Sequence, residues 1–311
     1  MKVSVIVPLY NKRCWIGRAL DSIANQTFAD FEVIVVDDGS TDGGPDVVTS
    51  YNDPRFRLIR QTNAGPGSAR NHGVAHAEGE LLAFLDADDE WFPSYLRDSV
   101  TFIDSLGHKV VSVSSGYVEC PSGVSQRPMW QRRGIKQGAF RLTANTDPLR
   151  AIHTLAYMTP CSTVVRADAL RRWGGFYNDD RCLFGEDAYL YLKLLLNETV
   201  SFRLAPGFYY HREASALAKK YRNPRPIEPF LVDPSGIETV CPAELRALLS
   251  KVLAIRAFKT VCMLGYWGEW RRARSLLRRF SCDQCWTLPY FLAAMVCSTP
   301  VARVWRFIKM I

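Results

Sequence analysis

The sequence predicts an α/β fold in which a mostly parallel central sheet carries helices on both faces. The first hundred residues alternate apolar runs of strand length with segments of helical period, joined by short connections, which is typical of parallel sheets. Three of the apolar runs end abruptly on polar residues, as strands do at a ligand-binding edge. With 311 residues, of which 48% are hydrophobic, the chain is long enough to bury a sizeable core.

Four strands are predicted in this first part, at residues 2–8, 31–36, 56–60 and 80–85. After the first strand, Ile16, Ala19, Leu20 and Ile23 have the spacing i, i+3, i+4, i+7, which predicts a helix with one apolar face. Further helical patterns occur at 46–51, 66–77 and 93–106. Each helix therefore follows a strand, as the fold class requires.

The later part of the chain is less regular. Strands are predicted at 110–118, 158–166 and 202–210, and helices at 185–196, 244–264 and 268–280. The stretch 119–138 contains too many Gly, Pro and Arg residues for a packed element, so we expect a surface loop or lid. Prolines and glycines at 222–243 predict a linker.

The positive charge of the chain is concentrated in its tail. The formal net charge is +8, and from Arg246 onwards there are twelve Lys or Arg residues against two acidic ones. The uncharged segment 286–302 contains two prolines and is shorter than the about twenty apolar residues of a spanning helix. We expect an interfacial helix on an anionic membrane, or a helical pair packed on the rest of the chain or on a second subunit of a homo-oligomer. A nucleic-acid recognition motif is absent.

The cysteines and the N-terminal residues indicate the cellular compartment of the protein. Nine cysteines, an odd number at scattered spacings, favour a reducing compartment over a disulfide framework. The N-terminal apolar run is too short for a signal peptide and is interpreted as the first strand. We therefore expect a cytoplasmic protein, with the inner face of the membrane as a second location.

The strand at 80–85 ends on three carboxylates, Asp86, Asp88 and Asp89. A buried strand with such a cluster at its carboxyl end places oxygen ligands where a divalent cation and a phosphate can meet. Alternatively, Asp88 or Asp89 caps the next helix. Polar motifs also follow the first two strands, at 8–11 and 37–40, so we expect all three motifs to converge on one crevice.

Together these motifs resemble the inverting glycosyltransferases of family 2, which have the GT-A fold. The resemblance depends on five segments, 3–11, 37–40, 67–71, 86–89 and 185–187, and covers about residues 1–215. It implies a Rossmann-like GT-A sheet with a C-terminal helical extension. Its parts are a nucleotide-sugar-binding half at 1–100, an acceptor-binding and catalytic half at 101–215, and a linker with a basic, partly apolar helical tail at 216–311.

The resemblance implies a residue for each part of the donor. Pro8 and Tyr10 are similar to base-contacting positions, and Tyr10 offers an aromatic face. Asp38 matches the residue that accepts a hydrogen bond from the uracil imide, which favours a UDP-sugar. Arg70 supplies a cation near the base and diphosphate, and Asp86 is similar to the ribose ligand. An Asx turn and a helix cap are the alternatives for the Asp38 and Arg70 segments.

The resemblance also implies a metal and a base. Asp88 is similar to the metal ligand, with Mn²⁺ or Mg²⁺ as the cofactor. His211 lies where some members place a further ligand to the metal or diphosphate, or else is a histidine at a strand end. Asp187 matches the general base, although Glu186 and Asp187 also suit a helix N-terminus.

The acceptor side is assigned to Trp173, Gly174, Gly175 and Phe176, with Glu186 as the alternative base. The glycines allow close approach, and the aromatic rings offer flat surface to a sugar. Both rings could instead belong to the core.

The hypothesis is a metal-dependent inverting glycosyltransferase that moves a sugar from a UDP-sugar to a glycan or lipid-linked acceptor, for example in polysaccharide or cell-surface glycan synthesis. A sugar nucleotidyltransferase would need a glycine- and basic-rich phosphate loop after the first strand. A dinucleotide-dependent oxidoreductase would need GxGxxG there. The first strand is instead followed by Leu9-Tyr10-Asn11. A catalytically weak nucleotide-binding module with a membrane- or protein-binding tail is the remaining alternative.

Overall fold

The computed structural model describes residues 2–214, 226–280 and 288–299. The chain forms two compact units, one of Met1–Leu142 with His153–Lys219 and the other of Thr143–Ile152 with Lys220–Ile311. Both of the predicted halves up to residue 215 therefore lie in the first unit, apart from the ten residues at 143–152.

A ten-stranded sheet forms the centre of the first unit. Its strands are β1 Val3–Leu9, β2 Phe31–Asp37, β3 Phe56–Arg60, β4 Leu81–Phe84, β5 Glu90–Trp91, β6 Val110–Cys120, β7 Val124–Ser125, β8 Gly138–Phe140, β9 Thr163–Arg166 and β10 Thr199–His211. Their order is β3-β2-β1-β4-β9-β6-β10-β5, with β7 paired to β6 and β8 paired to β10.

The directions of the strands decide where the site lies. β1 is parallel to β2 and β4, and β2 is parallel to β3. β9 is antiparallel to both β4 and β6, whereas β10 is parallel to β6, so β6 and β10 run in the same direction as β4. The sheet is therefore mostly parallel, as predicted, and the carboxyl ends of β1, β2, β4 and β10 lie at one edge.

Helices cover both faces of this sheet. Up to residue 200 the helices of the chain are α1 Arg13–Ala24, α2 Gly44–Thr49, α3 Pro66–Ala75, α4 Tyr95–Ser105, α5 Arg127–Arg132, α6 Pro148–Tyr157, α7 Ala167–Arg172 and α8 Glu186–Asn197, and α6 begins in the second unit. The predicted apolar face of α1 is buried and shares a core cluster with Val5 and Val7 of β1. Ile6 points to the opposite face, where a Cβ added to Gly73 of α3 would lie only 2.5 Å from it.

Two predictions between residues 119 and 166 are wrong. The stretch 119–138 is not an irregular loop, because it contains β7, α5 and the start of β8. Trp130 and Ile135 anchor it, with exposed fractions of 4% and 3%. The strand predicted at 158–166 begins only at Thr163, because Pro160 starts a 3₁₀ turn, and a proline ring favours the first position of a helical turn.

The described part of the second unit consists mainly of helices: α9 Pro229–Val232, α10 Ser235–Glu238, α11 Arg246–Tyr266, α12 Trp270–Leu277 and α13 Leu288–Cys297. α11 and α12 confirm the two predicted helices. The linker prediction is wrong over α9 and α10, where Phe230, Leu231 and Ile237 are fully buried. Residues 215–225, 281–287 and 300–311, including both ends of the uncharged segment, lie outside the described residues. Within the described residues, each helix is too short or too polar to cross a membrane.

Candidate active site

Polar residues from four strand ends are joined at the carboxyl edge of the sheet. The backbone N–H of Asp38, just after β2, donates to the carbonyl of Leu9 in β1 (2.8 Å). The N–H of His211 at the end of β10 donates to Oδ1 of Asp89, beyond β4 (3.0 Å). The ammonium of Lys12, after β1, contacts the carboxylate of Asp88. The structure therefore brings the predicted motifs of these strands into one region.

A tight turn follows β1 and leaves Tyr10 accessible. Asn11 has a φ of 50°, a left-handed conformation that asparagine tolerates better than most residues. Its side-chain oxygen accepts the N–H of Thr41 (2.8 Å), and its own N–H donates to the hydroxyl of Ser40 (3.1 Å). Pro8 is half-buried, whereas Tyr10 is 48% exposed. A flat aromatic face is thus available beside the turn.

Asp38 holds the loop that leads into α3. Its carboxylate accepts hydrogen bonds from the backbone N–H groups of Ala64 (2.8 Å) and Gly65 (3.0 Å) and from the side-chain amide of Gln61 (2.8 Å). The residue is only 4% exposed. Because a carboxylate has about four lone-pair positions, these three hydrogen bonds leave one acceptor position unused.

Arg70 is a buried bridge between two carboxylates. One terminal nitrogen donates to Asp86 (2.7 Å) and the other to Glu186 (2.8 Å), and the guanidinium lies over the ring of Phe176 (5.2 Å). Although burial opposes the charge, these neighbouring carboxylates, with Asp187, raise the pKa of Arg70. Both terminal nitrogens are therefore occupied. The sequence did not predict this bridge, because Arg70 and Glu186 are 116 positions apart.

Asp187 lies in the first turn of α8 and directly follows Glu186, which pairs with Arg70. Gly185 starts the helix with a φ of 80°, and Oδ1 of Asp187 accepts the N–H of Ala188 (2.8 Å). Burial, and then the charge of Glu186, raise the pKa of Asp187 from 3.8 to about 7. Arg70 acts in the opposite direction. A carboxyl group with a pKa near the working pH is well matched to general base catalysis.

The three carboxylates after β4 have different surroundings. Asp86 bonds to Arg70, and its side chain is 36% exposed. Asp88 pairs with Lys12 at 2.5 Å, and its side chain is 14% exposed. Asp89 is buried, and its second oxygen accepts a weak hydrogen bond from the thiol of Cys161 (3.3 Å). Burial raises the pKa of Asp89 well above its usual range. Asp89 therefore links β4 to its neighbours, whereas Asp86 and Asp88 are the more accessible pair.

Carboxylates flank both ring nitrogens of His211. Nδ1 lies 2.8 Å from Glu213, and Nε2 lies 3.3 Å from Glu90. The side chain is 11% exposed. Neither carboxylate was assigned a role from the sequence, although both are within two residues of an assigned motif.

The side chains that follow β4 include the oxygen donors that a divalent cation requires. Among the described residues, ligand atoms of Asp86, Asp89 and Cys161 lie within 4.8 Å of one another. Carboxylate oxygens suit Mg²⁺ and Mn²⁺, whereas burial raises the pKa of the Cys161 thiol and keeps it protonated. The ammonium at Asp88 shows that this carboxylate already faces a positive charge. The carboxylates of Asp86 and Asp89 therefore supply oxygen ligands of the kind that a hard divalent cation prefers, whereas Asp88, paired with Lys12, is not part of this cluster.

The glycine-containing segment 173–176 packs on α3. A Cβ at Gly175, where φ is 72°, would lie 2.4 Å from Oδ1 of Asn71. The Asn71 amide also exchanges two hydrogen bonds with the backbone of Phe176 (2.8 and 2.9 Å). Phe176 is 1% exposed, so its ring belongs to the core, which is the alternative that the sequence left open, and does not face an acceptor. The close approach at Gly175 therefore brings this segment against helix α3, not against an acceptor.

Trp173 of the same segment forms a hydrogen bond beside α8. Its indole N–H donates to Glu198 (2.9 Å), just beyond the C-terminal end of α8. Asp187 lies at the other end of the same helix, and eleven residues of α-helix span about 16 Å. Trp173 therefore bonds at the end of α8 that is remote from Asp187, and its place on the acceptor side stays a prediction.

The sequence matches a known family. Residues 4–172 match the model of the family described as Glycosyl transferase family 2. Over 235 residues the chain is 32% identical to the poly(ribitol-phosphate) beta-N-acetylglucosaminyltransferase TarS of Staphylococcus aureus, covering 72% of this chain and 38% of TarS. Over 100 residues it is 46% identical to a glycosyltransferase of Nostoc sp., covering 31% of each. The chain thus spans about a third of the length of these relatives.

Solved structures resemble the whole fold. The structure of S. aureus TarS 1–349 in complex with UDP-GlcNAc aligns with a TM-score of 0.60 at 22% identity, over 97% of this chain and 83% of that one. The mannosyltransferase of Pyrobaculum calidifontis in complex with GDP-Man and Mn²⁺ aligns with a TM-score of 0.56 at 20% identity, over 99% and 84%. Both TM-scores indicate that this chain shares the overall fold of these structures.

Proposed function

Because this chain belongs to glycosyltransferase family 2 and has the GT-A fold, we propose that it transfers a sugar from a UDP-sugar to a glycan or lipid-linked acceptor in a metal-dependent inverting reaction. One observation carries the proposal. Asp187, with its raised pKa, is joined through Glu186 and Arg70 to Asp86 at the end of β4. A base and a donor-side carboxylate are thereby held on one buried bridge.

The donor is proposed from the nucleotide end of the site. TarS is an N-acetylglucosaminyltransferase, and its structure contains UDP-GlcNAc, which favours UDP over the GDP of the more distant mannosyltransferase. Tyr10 presents an exposed ring for the base. Asp38 keeps one acceptor position, which suits the imide N–H of uracil.

The chemistry assigned to the chain is a single displacement. The carboxylate of Asp187 accepts the proton of the acceptor hydroxyl, whose oxygen bonds to the anomeric carbon. The bond from that carbon to the diphosphate oxygen breaks on the opposite face, and the electron pair leaves with the nucleotide. One base is sufficient for this inverting step. Glu186 is the second candidate for the base, because Arg70 already contacts one oxygen of its carboxylate.

A divalent cation, when bound, stabilises negative charge on the diphosphate leaving group. Asp86 and Asp88 would hold it, with His211 as a further candidate. Arg70 keeps Asp86 oriented through their 2.7 Å contact. Mn²⁺ and Mg²⁺ both suit these oxygen ligands.

We place the protein in the cytoplasm, with the tail on an anionic membrane. α13 exposes four apolar side chains, Leu288, Leu292, Met295 and Val296, at 43–53%. The tail around it is rich in arginine, and basic residues favour an anionic lipid surface. Packing of the same face on a second copy of the chain is the alternative, because both kinds of partner cover apolar side chains.

A donor panel tests this proposal. Purified protein with Mn²⁺ is incubated with UDP-GlcNAc, UDP-glucose, UDP-galactose and GDP-mannose, and nucleotide release is measured. We expect release from at least one UDP-sugar, and little from GDP-mannose. Preference for GDP-mannose would overturn the choice of UDP. Failure of all four donors, in protein that binds none of their nucleotides in calorimetry, would overturn the activity.

A further inference from the structure

Lys12 places a positive charge on the carboxylate that is assigned to the metal. Its ammonium lies 2.5 Å from Oδ2 of Asp88 and 3.1 Å from the carbonyl of Ala214. The side chains of Lys12 and Asp88 are only 19% and 14% exposed, so water screens the pair weakly. The contact joins residues 76 positions apart, and the sequence did not predict it.

Other contacts hold the backbone of this region independently of Lys12. Arg18 donates to the backbone carbonyl of Asp88 (2.5 Å). The N–H of Asp89 donates to the carbonyl of Asp86 (3.0 Å), and the carboxylate of Asp89 accepts the N–H of His211 (3.0 Å). Loss of the Lys12 ammonium would therefore free the Asp88 carboxylate without removing what positions its backbone.

A divalent cation and the Lys12 ammonium compete for the Asp88 carboxylate, because both are positive and the ammonium already contacts Oδ2. Direct coordination by a carboxylate oxygen needs a distance of about 2.0–2.2 Å for Mg²⁺-like ions. An ammonium at hydrogen-bond distance from that same carboxylate would repel the cation strongly in a poorly screened site. The ammonium at Asp88 therefore opposes binding of a divalent cation to this carboxylate.

We propose that Lys12 is an internal counter-cation that competes with the divalent cation for Asp88, and so sets the metal concentration at which the site fills. This inference rests on the proposed metal-dependent function. Without metal, Lys12 neutralises Asp88 and joins it to the carbonyl of Ala214, three residues beyond β10. With metal, the ammonium gives up the Asp88 carboxylate. Lys12 is thus a positioning residue that determines metal affinity and has no chemical step of its own.

Calorimetric titration of Mn²⁺ into protein saturated with UDP tests the competition. Lys12→Met keeps most of the side-chain volume and removes the charge, so we expect the Kd for Mn²⁺ to fall at least about fivefold, the upper end of the range for exposed ion pairs, because both partners here are mostly buried. Lys12→Arg keeps the charge and should bind Mn²⁺ no more tightly than the wild type. Lys2→Met is the matched control, because Lys2 pairs with Glu80 at the opposite end of β1 (3.2 Å) and its loss changes the net charge equally.

Thermal unfolding gives a second readout that does not depend on activity. In EDTA, Lys12→Met leaves Asp88 unpaired and should lower the Tm, whereas added Mn²⁺ should raise its Tm more than that of the wild type. If Lys12→Met does not fold, Lys12→Gln replaces it in both measurements.

The outcomes separate this inference from the proposed function. An unchanged or weaker Mn²⁺ affinity in folded Lys12→Met overturns the competition and leaves the metal dependence in place. Absence of Mn²⁺ binding in all variants overturns the metal dependence itself. Binding in Lys12→Met but not in the wild type supports the competition in its strongest form. Equal gains in Lys12→Met and Lys2→Met would assign the effect to net charge and overturn the inference.

Discussion

Asp187→Asn is expected to stabilise the protein at neutral pH while it removes most of the transfer. Burial and the charge of Glu186 raise the pKa of Asp187 from 3.8 to about 7. The unfolded chain therefore loses this proton near pH 3.8, whereas the folded chain keeps it until about pH 7. Between these values the unfolded state binds fewer protons, so the stability contributed by this group falls as the pH rises. An asparagine is neutral throughout and avoids that cost.

The size of the effect follows from the two pKa values. A change from 3.8 to about 7 corresponds to about 4 kcal/mol of unfolding free energy above pH 7. This is an upper limit, because Glu186 interacts with the same proton. We expect Asp187→Asn to gain about 1–4 kcal/mol at pH 8 and less than about 1 kcal/mol at pH 4.5. Transfer should fall by about 10²–10⁴-fold, the usual contribution of a general base.

Urea unfolding at pH 4.5 and pH 8, with donor turnover measured on the same preparations, checks both parts. Asp168→Asn is the control, because Asp168 is also in the first turn of a helix but its side chain is 69% exposed. It should show no gain at pH 8 and should retain activity. A gain for Asp187→Asn that is independent of pH would refute the electrostatic reasoning. Retained transfer would refute the assignment of the base, and Glu186 would be examined next.

Three further predictions concern the metal, the segment that packs on α3, and the tail. In calorimetry, UDP should bind at least about tenfold more weakly in EDTA than with Mn²⁺, and Asp88→Ala should remove this difference. Equal UDP affinity of the wild type in EDTA and in Mn²⁺ would contradict the metal role. Gly175→Ala should lower the free energy of unfolding in urea by about 2–4 kcal/mol. Gly107→Ala should lower it less, because both glycines have a positive φ but, of the two, only Gly175 has a close neighbour. Equal losses would contradict the packing of Gly175 on α3. Replacement of both Leu292 and Met295 with Ser should abolish sedimentation with anionic vesicles at low salt; if the wild type also stays in the supernatant, the tail does not bind membranes.

The sequence predicted the sheet well because each strand has a local signal. The apolar run at Leu81–Phe84 is bounded by turn residues and ends on Asp86, so neither its length nor its end depends on distant contacts. The apolar face of α1 is likewise encoded by spacing alone. The elements at 119–138 were missed because short hairpins and single helical turns have too few residues for a periodic signal.

The candidate site was only partly predictable for a physical reason. Strand direction brings the motifs to one edge, and the parallel pattern implied that direction. The partners of each side chain come from distant segments, as Arg70 with Glu186 and Lys12 with Asp88 show. The sequence left Phe176 between the core and the acceptor side, because an aromatic residue beside glycines has the same local pattern in a core as at a sugar-binding surface.

The order in which sugar anomers form tests the central claim most directly. The UDP-sugar that performs best in the donor panel, an α-linked donor such as UDP-GlcNAc, is incubated with the protein and Mn²⁺, and the released sugar is followed by proton NMR from the earliest time points. With water in place of the acceptor, an inverting displacement predicts that the β-anomer appears first, at a rate that Asp187→Asn reduces about 10²-fold or more. Initial release of the α-anomer, or an equal rate in Asp187→Asn, would contradict the account.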